Sequence, residues 1–221
     1  FEKQKNFIAD ASHELKTPLT IINANAEVLQ NSLGENKWLQ HILEQTNRMN
    51  LLIRDLLDLA RLDSAPKSFA FSDFDFSRAV TASALSFESL AFETHKTYRM
   101  EISDGIHFTG NEGAIRHLVT ILLDNAFKYS EAGAQITISL SRKGDKKILS
   151  VLNTGRGISK EDQKHIFERF YRSDNSRSRE SGSTGGYGLG LAIAASIVSS
   201  HSGQISVKSD EVSYTQITAV L

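Results

Sequence analysis

His13 and Glu14 stand side by side in ASHELKTPL, residues 11–19, with Thr17 four positions after the histidine and Pro18 next. A neutral imidazole is a nucleophile near pH 7, and a neighbouring carboxylate can orient the ring or take its proton as a bond forms. A metal site at this spacing calls for a second histidine at i+4, and Thr17 occupies that place. A proline inside a helix costs about 3 kcal/mol and bends the axis, so Pro18, five residues after His13, suggests a bend that serves a site. The residues alone leave two readings open: a solvated surface pair and a reactive histidine.

Three later stretches carry groups suited to a nucleotide. In LLDNAFKYS, residues 122–130, Asn125, Lys128 and Tyr129 fall at i, i+3 and i+4 and share one helix face. An amide oxygen can bind Mg²⁺, a lysine can neutralise phosphate and an aromatic ring can stack on a base. VLNTGRGIS places Asn153, Gly155 and Gly157 after a strand pattern, and GGYGLGLAIA leads through Gly185, Gly186, Gly188 and Gly190 into an apolar helix. Glycines let a ligand approach the backbone closely, and a helix start presents free N–H groups to phosphates. No Gly-Lys-Ser/Thr occurs, which excludes a Walker A loop, and the polar stretch SDNSRSRESGST stands where a Rossmann fingerprint needs a strand. The second run therefore reads as the hinge of a lid. Taken singly, each run also fits an ordinary turn before a helix, and residues 122–130 fit a solvated polar face.

The elements that must position these groups follow from apolar spacing. Ile8, Ala11, Leu15, Leu19, Ile22, Ala26, Leu29 and Leu33 form one helical stripe; Leu39, Ile42, Thr46, Met49, Ile53, Leu56 and Ala60 form a second. Residues 31–36, with Gly34 among them, make the turn of an antiparallel hairpin. One hairpin cannot bury both stripes, and Leu43, Leu52 and Leu57 widen the second face, so two hairpins in a four-helix homodimer are expected. Packing against the rest of the same chain is the alternative. The pattern breaks at Pro66. Beyond it, helices are expected at 77–94, 112–129 and 188–200. Strands are expected at 97–102, 106–109, 135–141, 147–152, 204–208 and 214–220, giving an α/β sandwich with helices on one sheet face. The expected domains are 1–64, the helical hairpin, and 65–221, the α/β unit.

Composition narrows the function. Lysine and arginine number 25 against 26 aspartate and glutamate, a net charge of −1 that argues against a general polyanion binder, so no nucleic-acid partner is expected. With no cysteine, disulfides, thiolate metal sites and cysteine nucleophiles are excluded. No apolar run approaches the roughly 20 residues that span a bilayer. The chain opens at Phe1 inside a helical pattern, which suggests a piece of a longer protein whose sensor or membrane segment lies upstream.

Together these segments resemble the transmitter core of bacterial two-component sensor histidine kinases. FIADASHELKTPL is similar to the family's H-box, LLDNAFKYS to its N-box, NTGRGI to its first glycine box, IFERFYR to its F-box and GGYGLGLAI to its second glycine box. The resemblance implies a dimeric four-helix bundle carrying α/β sandwich ATP-binding domains of the GHKL (Bergerat) type. His13 is then the phosphoacceptor attacking the γ-phosphate of ATP, Glu14 its base or orienter, and Thr17 the residue that positions water when the partner is dephosphorylated. Asn125 is implied to bind Mg²⁺, Lys128 and Arg172 to meet phosphates, and Tyr129 to lie near the adenine. Asn153, Gly155, Gly157 and Ile158, then Tyr171, Gly186, Gly188, Leu189 and Gly190, are implied to shape the ATP pocket and lid. The implied partners are a second copy of the chain and a response-regulator receiver domain. The implied location is the cytoplasmic side of a membrane sensor, with membrane contact only through upstream segments.

Two positions depart from the family pattern. Asn153 stands where an aspartate usually accepts a hydrogen bond from the adenine amino group; an amide oxygen still accepts, but without charge. Ile121 stands where the N-box often carries a further asparagine. The expectation is an ATP-dependent histidine kinase with weakened nucleotide affinity, set against a form acting chiefly as the regulator's phosphatase and against a non-catalytic docking scaffold.

Overall fold

The computed structural model describes residues 2–34, 36–64, 70–173 and 187–221, with side chains described from Thr17 onward except at Leu33 and 61–64. Two long helices come first, α1 (Glu2–Leu33) and α2 (Lys37–Ser64), packed against each other. Gly34, at φ +75°, supplies the left-handed residue that stops α1, and the Asn36 side chain caps α2 by accepting from the Trp38 N–H at 2.9 Å. Heptad spacing decides what this hairpin buries. Leu19 and Ala26 on α1, with Leu39, Thr46, Ile53 and Ala60 on α2, recur every seven residues and are buried. Ile22, Leu29, Ile42 and Met49 form the other heptad column and remain 44–47% exposed. The hairpin thus satisfies one of the two apolar columns that a coiled coil must cover.

The second unit is built from β1 (Ser72–Asp75), α3 (Phe76–Leu85), α4 (Glu88–Glu93), β2 (Thr97–Ile102), β3 (His107–Gly110) and α5 (Glu112–Lys128). It continues through β4 (Gln135–Lys143), β5 (Lys146–Thr154), α6 (Asp162–His165), α7 (Gly190–Ser200), β6 (Gln204–Ser209) and β7 (Tyr214–Val220). Five strands form a sheet in the order β2-β4-β5-β7-β6, with only β2 and β4 parallel; β1 and β3 pair separately. Helices α3, α5 and α7 pack side by side over one face. Strand alternation sends Ile136, Ile138, Leu140, Leu149, Val151, Ile217 and Ala219 into the core beneath them.

The cross-strand register arranges that buried face in rows. Leu140, Leu149, Ala219 and Ile205 make one row, and Ile138, Val151, Ile217 and Val207 the next. The third row turns polar: Ile136, Asn153, Thr215 and Ser209. The same sheet face is therefore apolar at one end and hydrogen-bonding at the other.

Three features differ from the sequence expectation. Residues 77–94 form two helices, broken where Phe87 turns inward, 6% exposed, onto Phe127 at a 5.4 Å ring separation. Strand β1 and the single-turn helix α6 carry no apolar period and were absent from the expected elements. Part of α2 packs against its own chain: Leu52 and Leu56 meet the core of the second unit, and Leu59 is one of its buried members. Leu52, expected to widen a dimer face, is covered this way.

Candidate active site

Strand β5 delivers Asn153, 6% exposed, to the edge of the polar row, and the chain then leaves the sheet through Gly155, at φ +127°. That value suits glycine and strains other residues. Gly155 needs its freedom for the backbone turn alone, since a Cβ there meets nothing within 4 Å. Gly157 is required for space: a Cβ there lies 2.4 Å from Ser209 Oγ and 2.6 Å from the Glu211 nitrogen. The loop is fastened beyond this point. The Ile158 N–H donates to Ser209 Oγ at 2.8 Å, the Lys160 N–H to Glu211 Oε1 at 3.0 Å, and Gln163 Nε2 to the Ile158 carbonyl at 2.7 Å.

Helix α5 lies beside β5 and against α7, so the groups on its last turns border the same region. Asn125 is half-buried. Lys128 ends the helix, and Tyr129 caps it with its ring 5.1 Å from the Lys128 ammonium. Ile121, one turn before Asn125, packs into the core and lies 3.5 Å from where a Cβ of Gly190 would stand. An apolar residue at 121 thus closes the seam between α5 and the start of α7. Leu189, 1% exposed, anchors that start in the core, leaving the first N–H groups of α7 without intrahelical partners.

The two edges of residues 174–186 are joined. The Phe170 N–H donates to the Gly188 carbonyl at 3.0 Å, and Gly188, at φ +74°, has only 2.5 Å between its Cβ position and the Tyr171 carbonyl oxygen. The Tyr171 hydroxyl donates to Asp162 Oδ1 at 2.6 Å and its ring packs 5.4 Å from His165, so this residue braces α6. His165 lies between Glu168, at 2.8 Å, and Glu161, at 3.6 Å, and the Glu168 hydrogen bond holds its pKa above the usual histidine value. Gly186 lies outside the described residues.

These elements match known families in the order of the chain. Residues 3–65 fit the family described as His Kinase A (phospho-acceptor) domain, and residues 110–221 fit the histidine kinase-, DNA gyrase B- and HSP90-like ATPases. The chain belongs to the two-component sensor histidine kinases. Sensor protein DltS of Streptococcus agalactiae is 38% identical over 92% of this chain and 50% of its own length. Sensor histidine kinase RppB of Synechocystis sp. is 36% identical over 95% of this chain and 47% of its own length. The chain therefore spans about half the length of these curated relatives. Full-length ShkA, solved in complex with AMPPNP, superposes with a TM-score of 0.82 at 23% identity, over 97% of this chain and 45% of that one. The Acinetobacter baumannii histidine kinase AdeS gives 0.68 at 24% identity over 95% and 96%. At such identity these structures establish the fold.

In this histidine-kinase core the helix α1 carries His13 and Glu14, whose side chains are outside the described set. Thr17 and Pro18 on the same helix are exposed. Pro18 has no N–H to offer the Glu14 carbonyl, so that oxygen beside His13 lacks its usual helical partner. The ATPase unit rests on α2 through Leu52, Leu56 and Leu59, with α7 against α2. At this seam His117 Nδ1 stands 3.8 Å from Asp58 Oδ2, an ion pair when the imidazole is protonated. Burial pushes the Asp55 and Asp124 carboxyls up, and His117 partly offsets both. A seam of one histidine and three carboxylates gave no signal in the sequence, because its members come from two helices far apart in the chain. No helix among the described residues is long and apolar enough to cross a membrane.

Proposed function

We propose that this chain is the catalytic core of an ATP-dependent protein-histidine kinase that phosphorylates His13 and passes the phosphoryl group to an aspartate of a receiver domain. The observation that carries this reading is the polar row ending at Asn153, from which a glycine loop leaves the sheet beside α5 and the open start of α7. A buried amide at the end of an apolar strand suits an adenine edge, and unpaired N–H groups at a helix start suit phosphates.

In the reaction the neutral imidazole of His13 attacks the γ-phosphorus. The bond to the β-phosphate oxygen breaks, ADP leaves, and Glu14 takes the imidazole proton. The receiver carboxylate then attacks the phosphohistidine, the P–N bond breaks, and the leaving ring takes back the proton held by Glu14, returning neutral imidazole. Such transfers depend mainly on alignment and charge neutralisation, which Lys128 and Arg172 supply from this chain. Mg²⁺ bound with ATP adds charge neutralisation, and the Asn125 amide oxygen is the ligand the chain offers it, a hard donor fit for a hard cation. Gly155, Gly157 and Ile158 shape one wall, and Gly186, Gly188 and Gly190 the lid. Thr17, exposed one turn after His13, positions water for hydrolysis of the receiver's acyl phosphate.

The exposed heptad column of Ile22, Leu29, Ile42 and Met49 supports a homodimer through the hairpin. The end of α2 at Ser64 and Pro66 just beyond it support a helical domain at 1–64 and an ATP-binding domain at 65–221.

The test is acid-labile, alkali-stable phosphate incorporation from γ-labelled ATP with Mg²⁺, comparing the chain with His13→Gln. Labelling of the parent and none of the variant is expected. Equal labelling in both removes His13 as the acceptor, and no labelling in either with nucleotide binding intact removes the kinase reading.

A further inference from the structure

The turn between β6 and β7 is built with unusual economy around one carboxylate. Asp210 Oδ1 accepts from the N–H groups of Val212, Ser213 and Tyr214 at 3.1, 2.8 and 3.2 Å, and Oδ2 accepts from the Ser213 hydroxyl. Those bonds hold the Asp210 carboxyl well below the usual carboxylate range. The turn so fixed then reaches the loop after β5 at three places: the Gly155 N–H donates to the Ser213 carbonyl at 2.9 Å, Ile158 to Ser209 Oγ and Lys160 to Glu211 Oε1.

Ser209 is the node. Its single hydroxyl proton goes to the Tyr214 carbonyl at 2.6 Å, across the turn, which leaves its lone pairs to receive Ile158 at 2.8 Å, with longer approaches from the Glu211 N–H and the Thr215 hydroxyl, both at 3.4 Å. Gln163 adds a clamp by donating to both the Ile158 and the Ser209 carbonyls, at 2.7 and 3.2 Å. Ser209 also ends the polar row that contains Asn153, two strands away across Thr215. The space that Gly157 leaves empty is the space Ser209 fills.

We propose that Ser209 is a positioning residue for nucleotide binding: it ties the glycine loop at 153–158 to the β6–β7 turn and so sets where that loop's backbone meets ATP. The inference rests on reading 153–158 as the nucleotide loop. Ser209 acts through Ile158 and Gly157, without touching the reacting atoms. Removing its hydroxyl leaves the Ile158 N–H and the Tyr214 carbonyl without their partners together, and the loop loses its reference to the sheet.

The experiment uses the full chain and compares Ser209→Ala, Ser209→Thr and Asn153→Ala. It reads the Kd for AMPPNP with Mg²⁺ by calorimetry, the KM for ATP and maximal rate of autophosphorylation, and the unfolding temperature. Ser209→Ala is expected to raise Kd and KM by about 2- to 13-fold, the net scale of one hydrogen bond, with the maximal rate within about twofold. Ser209→Thr, which keeps the hydroxyl, is expected to restore both constants. If Asn153→Ala leaves Kd unchanged, the nucleotide-loop reading fails and this inference with it. If Asn153→Ala weakens binding and Ser209→Ala does not, the positioning role alone is overturned. A lower unfolding temperature with unchanged Kd overturns it too, since that is what a merely structural hydroxyl gives. Should Ser209→Ala not fold, Ser209→Cys keeps the side-chain shape while weakening both bonds, a thiol being a poor donor and acceptor; weaker nucleotide binding is expected, and an unchanged Kd overturns the proposal.

Discussion

Replacing Ile42 by aspartate tests whether the exposed heptad column is a dimer face. Ile42 is 44% exposed in the single chain, so a partner that covers it recovers a little under half of the roughly 1.5–3 kcal/mol of full burial, about 1 kcal/mol per copy. Ile42→Asp loses that from both copies and sets a carboxylate into each side of a core where an unpaired charge costs several kcal/mol. Together the penalty is at least about 4 kcal/mol, or roughly a thousandfold in the dimer dissociation constant. Sedimentation velocity across a micromolar concentration series reads this directly. The control is Ile21→Asp: Ile21 is 57% exposed but sits one residue, about 100° of helix, away from Ile22 and off the column. Its expected effect on association is within about 0.5 kcal/mol, that of an ordinary surface change. A dimer that survives Ile42→Asp, or one that Ile21→Asp disrupts as badly, refutes the reasoning from heptad burial.

Two further substitutions probe the ATPase unit. Gly188→Ala places a Cβ 2.5 Å from the Tyr171 carbonyl oxygen at φ +74°, so a loss of about 1–3 kcal/mol in urea unfolding is expected, with weaker nucleotide binding. His201 is buried; it accepts from the Asn111 N–H on Nε2 at 3.0 Å and donates from Nδ1 to the Ile197 carbonyl at 2.8 Å, which requires the neutral ring. Burial lowers its pKa below the ordinary 6.5, so its contribution to stability is present above pH 6.5 and lost as pH falls toward the folded value. One proton limits that slope to about 1.4 kcal/mol per pH unit. His201→Phe is expected to remove this slope between pH 7.5 and 5.5, and an identical pH dependence in parent and variant sinks the assignment. His165, raised in pKa, contributes with the opposite sign, but it is common to both proteins and cancels in the comparison.

The long amphipathic helices and the glycine runs were legible because period and backbone freedom are properties of local sequence. Thr46, read as a member of the second stripe, is indeed buried, with its hydroxyl donating to the Ile42 carbonyl at 2.7 Å. What escaped was decided by contacts far apart in the chain. Strand β1, SDFD, exists because it pairs with β3, and only Phe74 of its four residues is buried. The helix break near Ser86 has neither glycine nor proline to mark it; the fit of Phe87 onto Phe127 makes it. Within the site, Gly157 was legible as a glycine but not as one that yields room to Ser209. The β6–β7 turn was bracketed by the expected strands at 204–208 and 214–220, but its conformation was not legible: bonds to the Asp210 carboxylate carry Glu211 through φ +69° without a glycine. Ile121, expected as a missing polar ligand, turned out to be a packing residue against the start of α7.

The passage of the buried sheet face from two apolar rows to a polar one builds a gradient of local stability into the ATPase unit. Rows headed by Ile138 and Leu140 are closed by apolar burial, which favours opening with the whole domain, whereas in the third row Ser209 and Thr215 depend on side-chain hydrogen bonds that water can replace. Amide exchange should therefore run faster at the end of β5, β6 and β7 that holds Asn153, Ser209 and Thr215 than at mid-sheet. On the proposed nucleotide-loop reading, a nucleotide bound at this end would add protection there by RT ln(1 + [L]/Kd). Occupancy would then be legible to the rest of the molecule as a change in how often one end of a sheet comes apart, with no need for the helices above it to move.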